Sequence, residues 1–595
     1  MEEKKKSRFE IVKENSHGLR GSIAAELGEA SSHFASETTK LLKFHGIYQQ
    51  DDRDVRARLR AEGKDRKYSF MIRTKNPGGG ELSPEQWEIL NRVSGQYANG
   101  TLRITTRQGI QFHGTGKENL KAAIALLNSE LISTYGACGD GNRNTMACPV
   151  ANIRKGTGFD GQAVAREIAK HLGFKSGADY EIWMDGEKIT ADETESIYGS
   201  AYLPRKFKIG IADPDDNCID VYTHDIGIVP VLNGGKVAGY TLLVGGGLGS
   251  THGMKETFPR LGEPLGFVPT NGLLEVVTRI VEFQRDNGNR GNRSRARLKY
   301  VVEDWGIERV RAEIEARLGW KLAAARPVCF SHGELHLGWH RQNEPGLWYA
   351  GIFVENGRIK DTEGCTMLTG LREIVRRFRP AVRLTPSQDL ILSGIPEEKV
   401  ELVRGLLKDY GIPTEKQVSN LRRHALACPA MPTCGLAITE AERRLPYLID
   451  VLEGLGYGNE EIRMRMSGCP NSCSRPPTAE IGLIGRLKNK YNIYVGGSPQ
   501  GTRLAQLYAE AVGPPGLIRE IARLIDVYRV HRQRQEPFGD FCYRTGVARL
   551  HELVESQNGD REEFLRNLSW SPTDEEMEEA RVPNPAGLTA RVEAL

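Results

Sequence analysis

The chain contains the segment Leu102-Arg-Ile-Thr-Thr-Arg-Gln108, and a similar segment, Val382-Arg-Leu-Thr-Pro-Ser-Gln388, lies 280 residues further on (382 − 102 = 280). The same offset relates Arg143-Asn-Thr-Met-Ala-Cys148-Pro149 to Arg423-His-Ala-Leu-Ala-Cys428-Pro429. Two matches in one register indicate that the chain is internally duplicated. A looser match relates residues 240–247 to 491–497 at an offset of 251, so the second copy is shorter there.

Each copy has the same predicted order of secondary structure. Alternating apolar residues predict two strands joined by a polar turn. Apolar residues at helical spacing then predict helices over 119–127 and 398–407. Strands backed by helices predict an α/β or α+β fold, and two such copies around a pseudo-twofold axis would share a crevice that suits a large cofactor.

The length of the chain predicts several lobes, because 595 residues are too many for a single hydrophobic core. We predict an N-terminal extension over 1–65, paired repeat halves over 66–135 and 335–412, a first lobe over 136–334 and a second over 413–595. The Gly- and Arg-rich stretch 287–297 and the loop 411–413 are the predicted linkers.

The composition argues against several classes of function. Lys and Arg number 81 against 77 Asp and Glu, and a net charge of +4 gives no argument for nucleic-acid or membrane binding. The sequence shows no signal-type apolar region and no apolar stretch of the roughly 20 residues that span a bilayer. We expect a cytoplasmic protein. Ten cysteines are too few for a disulfide scaffold in a chain of this size.

Four of the cysteines are clustered in the sequence. Cys428 and Cys434 form C-x5-C, and Cys469 and Cys473 form C-x3-C. Four thiolates are the ligand set of an iron-sulfur cluster. Structural zinc is an alternative, although zinc pairs favour spacings of two to four residues, and four unrelated buried thiols are another.

Several Arg and Lys residues lie in strand-like apolar segments where solvated charges are unusual. Lys206 and Lys208 alternate along one predicted strand and should face one side, with Arg205 and Phe207 on the other. Like charges on one face need an anion, so the set predicts an anion site, against the alternative of exposed surface charges. The other members are Arg73, Arg103 and Arg107.

From residue 44 to residue 541 the chain resembles the siroheme-dependent sulfite and nitrite reductases. The resemblance is carried by the cysteine quartet, Thr106-Arg-Gln-Gly-Ile-Gln-Phe-His113, Asn142-Arg-Asn144 and Leu203-Pro-Arg-Lys-Phe-Lys208. It implies ferredoxin-like repeat halves and two larger α/β cofactor-binding lobes around a pseudo-twofold axis. It also implies that the quartet ligates a 4Fe-4S cluster, with Cys473 also the axial ligand of the siroheme iron.

The resemblance assigns the remaining site residues. Siroheme carries a ring of carboxylates, and the implied residues that hold it are Arg103, Arg107, Gln111, His113, Arg205, Asn471 and Cys473. The implied substrate-binding cations are Arg73, Arg143, Lys206 and Lys208. Assimilatory six-electron reduction of sulfite to sulfide is the favoured activity, with nitrite reduction to ammonia as the alternative. Lys208 discriminates between them, because a dianion calls for more positive charge than a monoanion.

The chain shows no flavin or nicotinamide motif, so electrons should come from a partner. Gly245-Gly-Gly247 follows a strand but does not match G-x-G-x-x-G. Ferredoxin is the predicted donor, because residues 70–77 look closest to the ferredoxin-dependent branch, and an NADPH-dependent flavoprotein subunit is the alternative. Cys148 is predicted to be an inert packed thiol, with a reactive thiol as the alternative. A zinc-stabilised structural or nucleic-acid-binding protein is the rival class of function.

Overall fold

Two pairs of related sheets form the framework of the protein. The structure is a computed structural model and describes residues 6–156, 158–175 and 195–556, with the backbone of the short paired strands Trp183–Met184 and Glu187–Lys188. One pair of sheets comes from the repeat halves and the other from the larger lobes. The predicted duplication is therefore visible at the level of whole sheets.

The sheets of the two repeat halves are antiparallel and share one hydrophobic core. In spatial order the first contains Ile47–Asp51, Tyr68–Arg73, Ile110–Thr115, Leu102–Ile104 and Arg358–Ile359, and the second contains Gly338–Arg341, Leu347–Ile352, Leu390–Pro396 and Ala381–Leu384. Their helices are Pro84–Tyr97 and Leu120–Asn128 in the first half, and Met367–Phe378 and Val400–Asp409 in the second. The predicted boundary at residue 66 divides the first sheet, because strand Ile47–Asp51 pairs with Tyr68–Arg73.

The first helix of the first half has a local sequence reason to begin where it does. Pro84 occupies the first helical turn, where its missing N–H is not needed. Ser83 and Gln86 form a capping box that satisfies free backbone donors. The buried face of the helix then carries Trp87 and Leu90 into the shared core.

The two halves are joined by reciprocal contacts around the pseudo-twofold axis. Gln108 donates from Nε2 to Leu384 O at 3.0 Å, and its repeat equivalent Gln388 donates to Ile104 O at 3.2 Å. Both glutamine side chains are buried, so each satisfies a carbonyl of the other half that water does not reach. A strand of the second half also joins the sheet of the first half, since Arg358–Ile359 pairs with Leu102–Ile104.

The two larger lobes repeat one sheet topology. The strands, in spatial order, are Glu263–Pro269, Lys236–Val244, Ile226–Asn233, Ile209–Ile211 and Met146–Ala147 in the first lobe, and Gln506–Val512, Lys490–Val495, Ile481–Leu487, Met464–Ser467 and Leu426–Ala427 in the second. In both sheets the first three strands in chain order pair in parallel, and the last two are added by antiparallel pairing. Ile209 pairs with Ile226 and Met464 pairs with Ile481, which relates these segments at an offset of 255.

Helices cover the lobe sheets in the same order in both copies. They are Gly161–His171, Leu273–Asn287, Leu298–Trp305 and Ile307–Leu318 in the first lobe, and Arg444–Gly454, Pro514–His531, Phe538–Thr545 and Val547–Glu555 in the second. Shorter helices are Arg8–Glu14, Ile23–Leu27, Thr38–Leu42, Arg56–Ala61 and Asn420–Arg423, and a small two-stranded sheet pairs Asp361–Thr362 with Cys365–Thr366. Among the described residues, no helix combines the length and apolar character needed to cross a bilayer.

One predicted linker has a different role. Residues 287–297 do not separate lobes, because this stretch contains a short 3-10 helix, Arg293–Arg295, between two helices of the first lobe. Arg293 pairs with buried Asp140 at 2.6 Å, and Arg297 pairs with buried Asp225 at 2.7 Å. Arg293 and Arg297 of this predicted linker are instead paired with carboxylates inside the lobe.

Replacing Gln388 by Met tests the reciprocal contacts. Gln388→Met should lower the free energy of unfolding by about 1–3 kcal/mol, because two buried carbonyls, of Ile104 and Asn356, lose their donor. Denaturant-induced unfolding measures the loss. The matched control, Gln533→Met at an exposed position, should change stability by less than about 0.5 kcal/mol. Equal stabilities of the two variants would contradict this role for Gln388.

Candidate functional site

A deep cavity lies where the first half, the first lobe and the second lobe meet. It has about 1060 Å³ of empty space, part of it open to solvent. Seven Arg and Lys side chains line it, and no Asp or Glu stands among the described lining residues. These cations are Arg107, Arg205, Lys206, Lys208, Arg293, Arg297 and Arg475. A cavity of this composition suits a ligand with several negative charges.

Burial leaves the lysines of this cavity short of compensating charge. Burial and the nearby guanidinium of Arg205 lower the pKa of Lys206 to about 7. Burial and Lys206 lower the pKa of Lys208 well below its usual range. Burial and Arg143 lower the pKa of Arg107 to about 9. Each shift shows that the charged form is disfavoured by the protein alone, so a bound anion would restore it.

The predicted sides on which the side chains of residues 205–208 lie are wrong for Arg205. Arg205, Lys206 and Lys208 all line the cavity, whereas the strand pattern placed Arg205 on the opposite face with Phe207. The regular strand begins only at Ile209, and Arg205 lies in a bend, so the alternation of a strand does not extend to it. Phe207 is fully buried, as the alternation requires.

A second group of predicted residues lies together on one face of the first-half sheet. Arg73, Gln111 and Arg103 are cross-strand neighbours on three adjacent strands, and His113 is two residues beyond Gln111. None of these four is among the residues that line the cavity. Arg103 instead pairs with Glu442 at 2.8 Å and donates to Ala427 O at 3.0 Å, beside the first cysteine of the quartet.

The ring of His113 marks this sheet face as a place for a ligand. Both ring nitrogens are buried, and neither has a hydrogen-bond partner. Burial and the guanidinium groups of Arg358 and Arg103 lower the pKa of His113 well below its usual range. A neutral buried imidazole without partners is costly, so an external group that satisfies it would stabilise the site.

Arg73 and Arg143 both interact with Cys138, and neither lines the cavity. Arg73 donates from Nη1 to Cys138 Sγ at 3.1 Å, and its guanidinium lies over the ring of Tyr48 at 5.6 Å. Arg143 donates from Nε to Ala137 O at 3.0 Å and is an electrostatic neighbour of Arg107. The structure thus brings these two predicted cations together, but around Cys138.

The cysteine quartet gathers at one edge of the second-lobe sheet. Cys428 follows strand Leu426–Ala427, and Cys469 and Cys473 follow the parallel neighbour Met464–Ser467. Parallel strands end at the same edge, which brings their following loops together. Cys434 joins them because its backbone N–H donates to Ala430 O at 2.8 Å in a tight turn.

The surroundings of these sulfurs suit thiolate ligands. Gly468 N lies 3.4 Å from Cys428 Sγ, and Asn471 Nδ2 lies 3.5 Å from Cys469 Sγ, so both sulfurs accept hydrogen bonds. Burial and the charge of Cys473 raise the pKa of Cys428 well above that of a free cysteine. The four thiolates therefore need positive charge from bound metal, as ligands of a cluster do.

Cys473 connects the quartet to the cavity. It lines the cavity together with Asn471, while its charge raises the pKa of each of the other three quartet cysteines. The charge of its sulfur also interacts with the charges of Lys206 and Lys208.

A buried ion pair holds the loop of Cys473 in place. Arg475 Nε lies 2.6 Å from Asp220 Oδ2. The same arginine donates to Thr106 O at 3.1 Å and to Pro386 O at 3.0 Å, which are equivalent positions in the two repeat halves. Thr106 returns a hydrogen bond to Cys473 O at 2.9 Å.

Sequence reasoning missed several lining residues. His224, Arg293, Arg297, Tyr300 and Arg475 line the cavity but were not predicted. Arg475 had a usable signal, since it lies two residues after Cys473. The dense arginines of 293–297 were a signal too, although their composition resembles that of a linker.

Comparison with known families places the chain among redox enzymes. The family model described as "Nitrite and sulphite reductase 4Fe-4S domain" matches residues 138–322 and 459–561. The model described as "Nitrite/Sulfite reductase ferredoxin-like half domain" matches residues 61–130 and 340–410. The chain belongs to the nitrite and sulfite reductase family. The predicted family, the duplicated α+β fold and its ferredoxin-like halves are confirmed, and the predicted 4Fe-4S cluster agrees with the first description.

Relatives in this family match almost the whole chain. The NADPH sulfite reductase hemoprotein beta-component of Staphylococcus haemolyticus is 44% identical over 92% of this chain and 97% of that protein. Proteins of the same name from Geobacillus kaustophilus and Chromohalobacter salexigens are each 43% identical, over 93% and 90% of this chain and 97% and 95% of their own lengths. The solved structure of the Mycobacterium tuberculosis NirA protein, 24% identical, has the same fold, with a TM-score of 0.75 over 91% of this chain and 96% of that chain.

Removing the charge of Asp220 tests how the Cys473 loop is held. Asp220→Asn should lower the free energy of unfolding by about 3–5 kcal/mol, because Arg475 and Arg465 lose a buried counter-charge. The matched control is Glu88→Gln, which breaks an exposed ion pair with Arg372 and should cost less than about 1 kcal/mol. Denaturant titration compares the two, and a loss below 1 kcal/mol for Asp220→Asn would contradict the role of the pair.

Proposed function

We propose that this chain is a sulfite reductase hemoprotein that reduces sulfite to sulfide in a six-electron reaction. The observation that carries the proposal is the position of Cys473, which belongs both to the cysteine quartet and to the cationic cavity. One sulfur placed in this way can ligate a cluster on one side and a heme iron on the other. The names of the relatives, all sulfite reductase hemoproteins, support the same activity.

The residues present fit the two proposed cofactors. Cys428, Cys434, Cys469 and Cys473 would hold a 4Fe-4S cluster, and the cationic cavity would hold siroheme through its carboxylates. Arg107 and Arg205 line that cavity, and Arg103, Gln111 and His113 would complete the set from the neighbouring sheet face. When bound, the pair supplies the redox chemistry, delivering electrons to a substrate held at the heme iron.

Four further cations, Arg73, Arg143, Lys206 and Lys208, would bind the substrate. Lys206 and Lys208 line the cavity beside Cys473, and Arg73 of the first half and Arg143 of the first lobe lie together beside Cys138. Arginine suits the fixed orientation of an oxyanion, whereas lysine, whose pKa shifts readily on burial, suits proton delivery as oxygen leaves as water. The lowered pKa values of Lys206 and Lys208 accord with this division of roles.

Nitrite reduction is the second candidate activity. It is supported by the family description, which names both nitrite and sulphite reductases. Sulfite is favoured because the cavity offers two lysines and several arginines, and a dianion is stabilised more by that charge than a monoanion is.

Lys208→Asn separates the two activities. The variant should lose at least tenfold in kcat/KM for sulfite and much less for nitrite, because the dianion gains more from the second lysine. Turnover of both anions by protein with unchanged heme absorbance is the measurement. Lys490→Asn, which removes an exposed charge, is the control and should leave both rates unchanged. Equal losses for the two anions would contradict the charge argument.

We propose a partner protein as the electron donor, and the names of the relatives favour an NADPH-dependent one over the ferredoxin that the sequence suggested. Sulfide formation from sulfite should then be supported by NADPH with a flavoprotein partner at a rate well above that with reduced ferredoxin. The assay compares the two donors at equal enzyme and sulfite concentrations. Faster turnover with ferredoxin would instead favour the sequence prediction.

A further inference from the structure

A compact group of buried metal-ligand side chains lies outside the proposed active site. The group consists of Cys148, Asp216, Cys218 and His336, whose ligand atoms all lie within 4.8 Å of one another. All four side chains are buried, with exposed fractions between 0% and 7%. Two thiols, an imidazole and a carboxylate are a ligand set that Zn²⁺ binds readily.

We propose that these four residues bind a structural Zn²⁺ ion. The distances already fit one ion, since Cys148 Sγ lies 3.5 Å from His336 Nε2 and Asp216 Oδ2 lies 3.2 Å from the same nitrogen. Tetrahedral zinc with ordinary bond lengths separates sulfur from nitrogen by about 3.6 Å and nitrogen from oxygen by about 3.4 Å. The side chains would therefore need little movement to coordinate the ion.

The hydrogen bonding of the group is incomplete without an ion. His336 Nε2 faces two electron-rich atoms, Cys148 Sγ and Asp216 Oδ2, but can donate only one hydrogen bond. Asp216 Oδ2 is buried and lies 3.2 Å from His336 Nε2 without a well-aligned hydrogen bond, whereas Oδ1 accepts one from Glu334 N at 3.0 Å. The carboxylate is thus held by one oxygen and presents the other to the centre of the group, as ligands with a supporting shell do.

Arg154, which interacts electrostatically with Cys148, is already paired with other carboxylates. Arg154 pairs with Asp213 at 2.8 Å and with Asp215 at 2.5 Å, both from its Nη2 atom. Asp213 is itself fully buried, so it takes up much of that charge. Two thiols and the Asp216 carboxylate are left facing one imidazole, and a divalent cation would balance them.

Pseudo-symmetry places this group at the counterpart of the iron-sulfur site. Cys148 is the equivalent of Cys428 at the offset of 280, and Cys218 is the equivalent of Cys473 at the offset of 255 that the paired strands establish. Arg154 corresponds to Cys434, and both donate their backbone N–H to the residue four positions earlier. The duplicated scaffold therefore keeps two of the four cluster ligands in this lobe.

The other two ligand positions explain why one ion fits here and a cluster does not. Arg154 and Pro214 stand where the second lobe has Cys434 and Cys469, and neither can ligate iron. Asp216 and His336 supply the replacement ligands from a smaller enclosure. His336 lies just before strand Gly338–Arg341 of the second half, whereas the other three ligands lie in the first lobe. The ion would therefore cross-link the first lobe to the second half. A nucleophilic role for Cys148 fits less well, because its side chain is only 1% exposed.

Metal analysis of the loaded enzyme tests the proposal independently of activity. Protein purified through chelator-treated buffer should contain about one zinc per chain in addition to its iron. Zinc X-ray absorption should show two sulfur neighbours at about 2.3 Å and two nitrogen or oxygen neighbours at about 2.0–2.2 Å. Zinc below about 0.1 per chain, or a zinc shell without sulfur, would overturn the proposal.

Two variants locate the ion. Cys148→Ser should lose at least tenfold in zinc occupancy while its iron content stays that of the wild type, and the control Cys329→Ser, at an exposed cysteine, should keep its zinc. Full zinc retention by Cys148→Ser would overturn the assignment. If that variant does not fold, the absorption spectrum of the wild-type protein decides alone. A failure of sulfite reduction would leave these results unchanged, so the two proposals are tested separately.

Discussion

The ion pair between Asp220 and Arg475 holds the two copies of the duplicated chain together at the site. The two residues occupy equivalent positions at the offset of 255, each with a left-handed backbone, φ 52° and 61°. One copy supplies the carboxylate and the other supplies the guanidinium, so the pair lies across the pseudo-twofold axis. Through Thr106 O and Pro386 O the same arginine contacts both repeat halves. The Cys473 loop is thereby positioned by all parts of the fold at once.

Divergence of the two copies accounts for the uneven distribution of charge and sulfur. The second lobe keeps four cysteines at one sheet edge, whereas the first lobe contributes Lys206, Lys208 and Arg297 to the facing cavity. A cavity lined by seven cations is electrostatically unfavourable alone, as the lowered pKa values of its lysines show. A polyanionic cofactor and an anionic substrate would both relieve this repulsion, so the same charges can serve binding and chemistry.

Much of the fold could be predicted because the two copies share short stretches of similar sequence. The strand-turn-strand motif at 102–108 and 382–388 predicted the duplication, and the family resemblance supplied the proposed cluster ligands. The side on which each side chain lies was harder to predict. Arg205 lies in a bend before the regular strand, so the alternation of a strand does not apply to it. The N-terminal strand Ile47–Asp51 was missed because its pairing with Tyr68–Arg73 depends on the sheet and not on its own sequence.

The unpredicted parts of the site depend on contacts between distant segments. Arg297 is paired with Asp225 and His336 approaches Cys148, and no local pattern shows either contact. The equivalence of Cys218 with Cys473 was also hidden, because the two segments share almost no residues and only the strand register reveals it. Cys148 was expected to be an inert packed thiol, and its neighbours in the fold give it a ligand environment.

We propose that the sulfur of Cys473 is a ligand of both metal cofactors. Mössbauer spectroscopy of the fully loaded protein measures whether the heme iron and the cluster irons share one magnetic system. With a shared sulfur ligand, a paramagnetic heme should impose magnetic splitting on all the cluster irons. Cluster irons that stay diamagnetic beside a paramagnetic heme would contradict it.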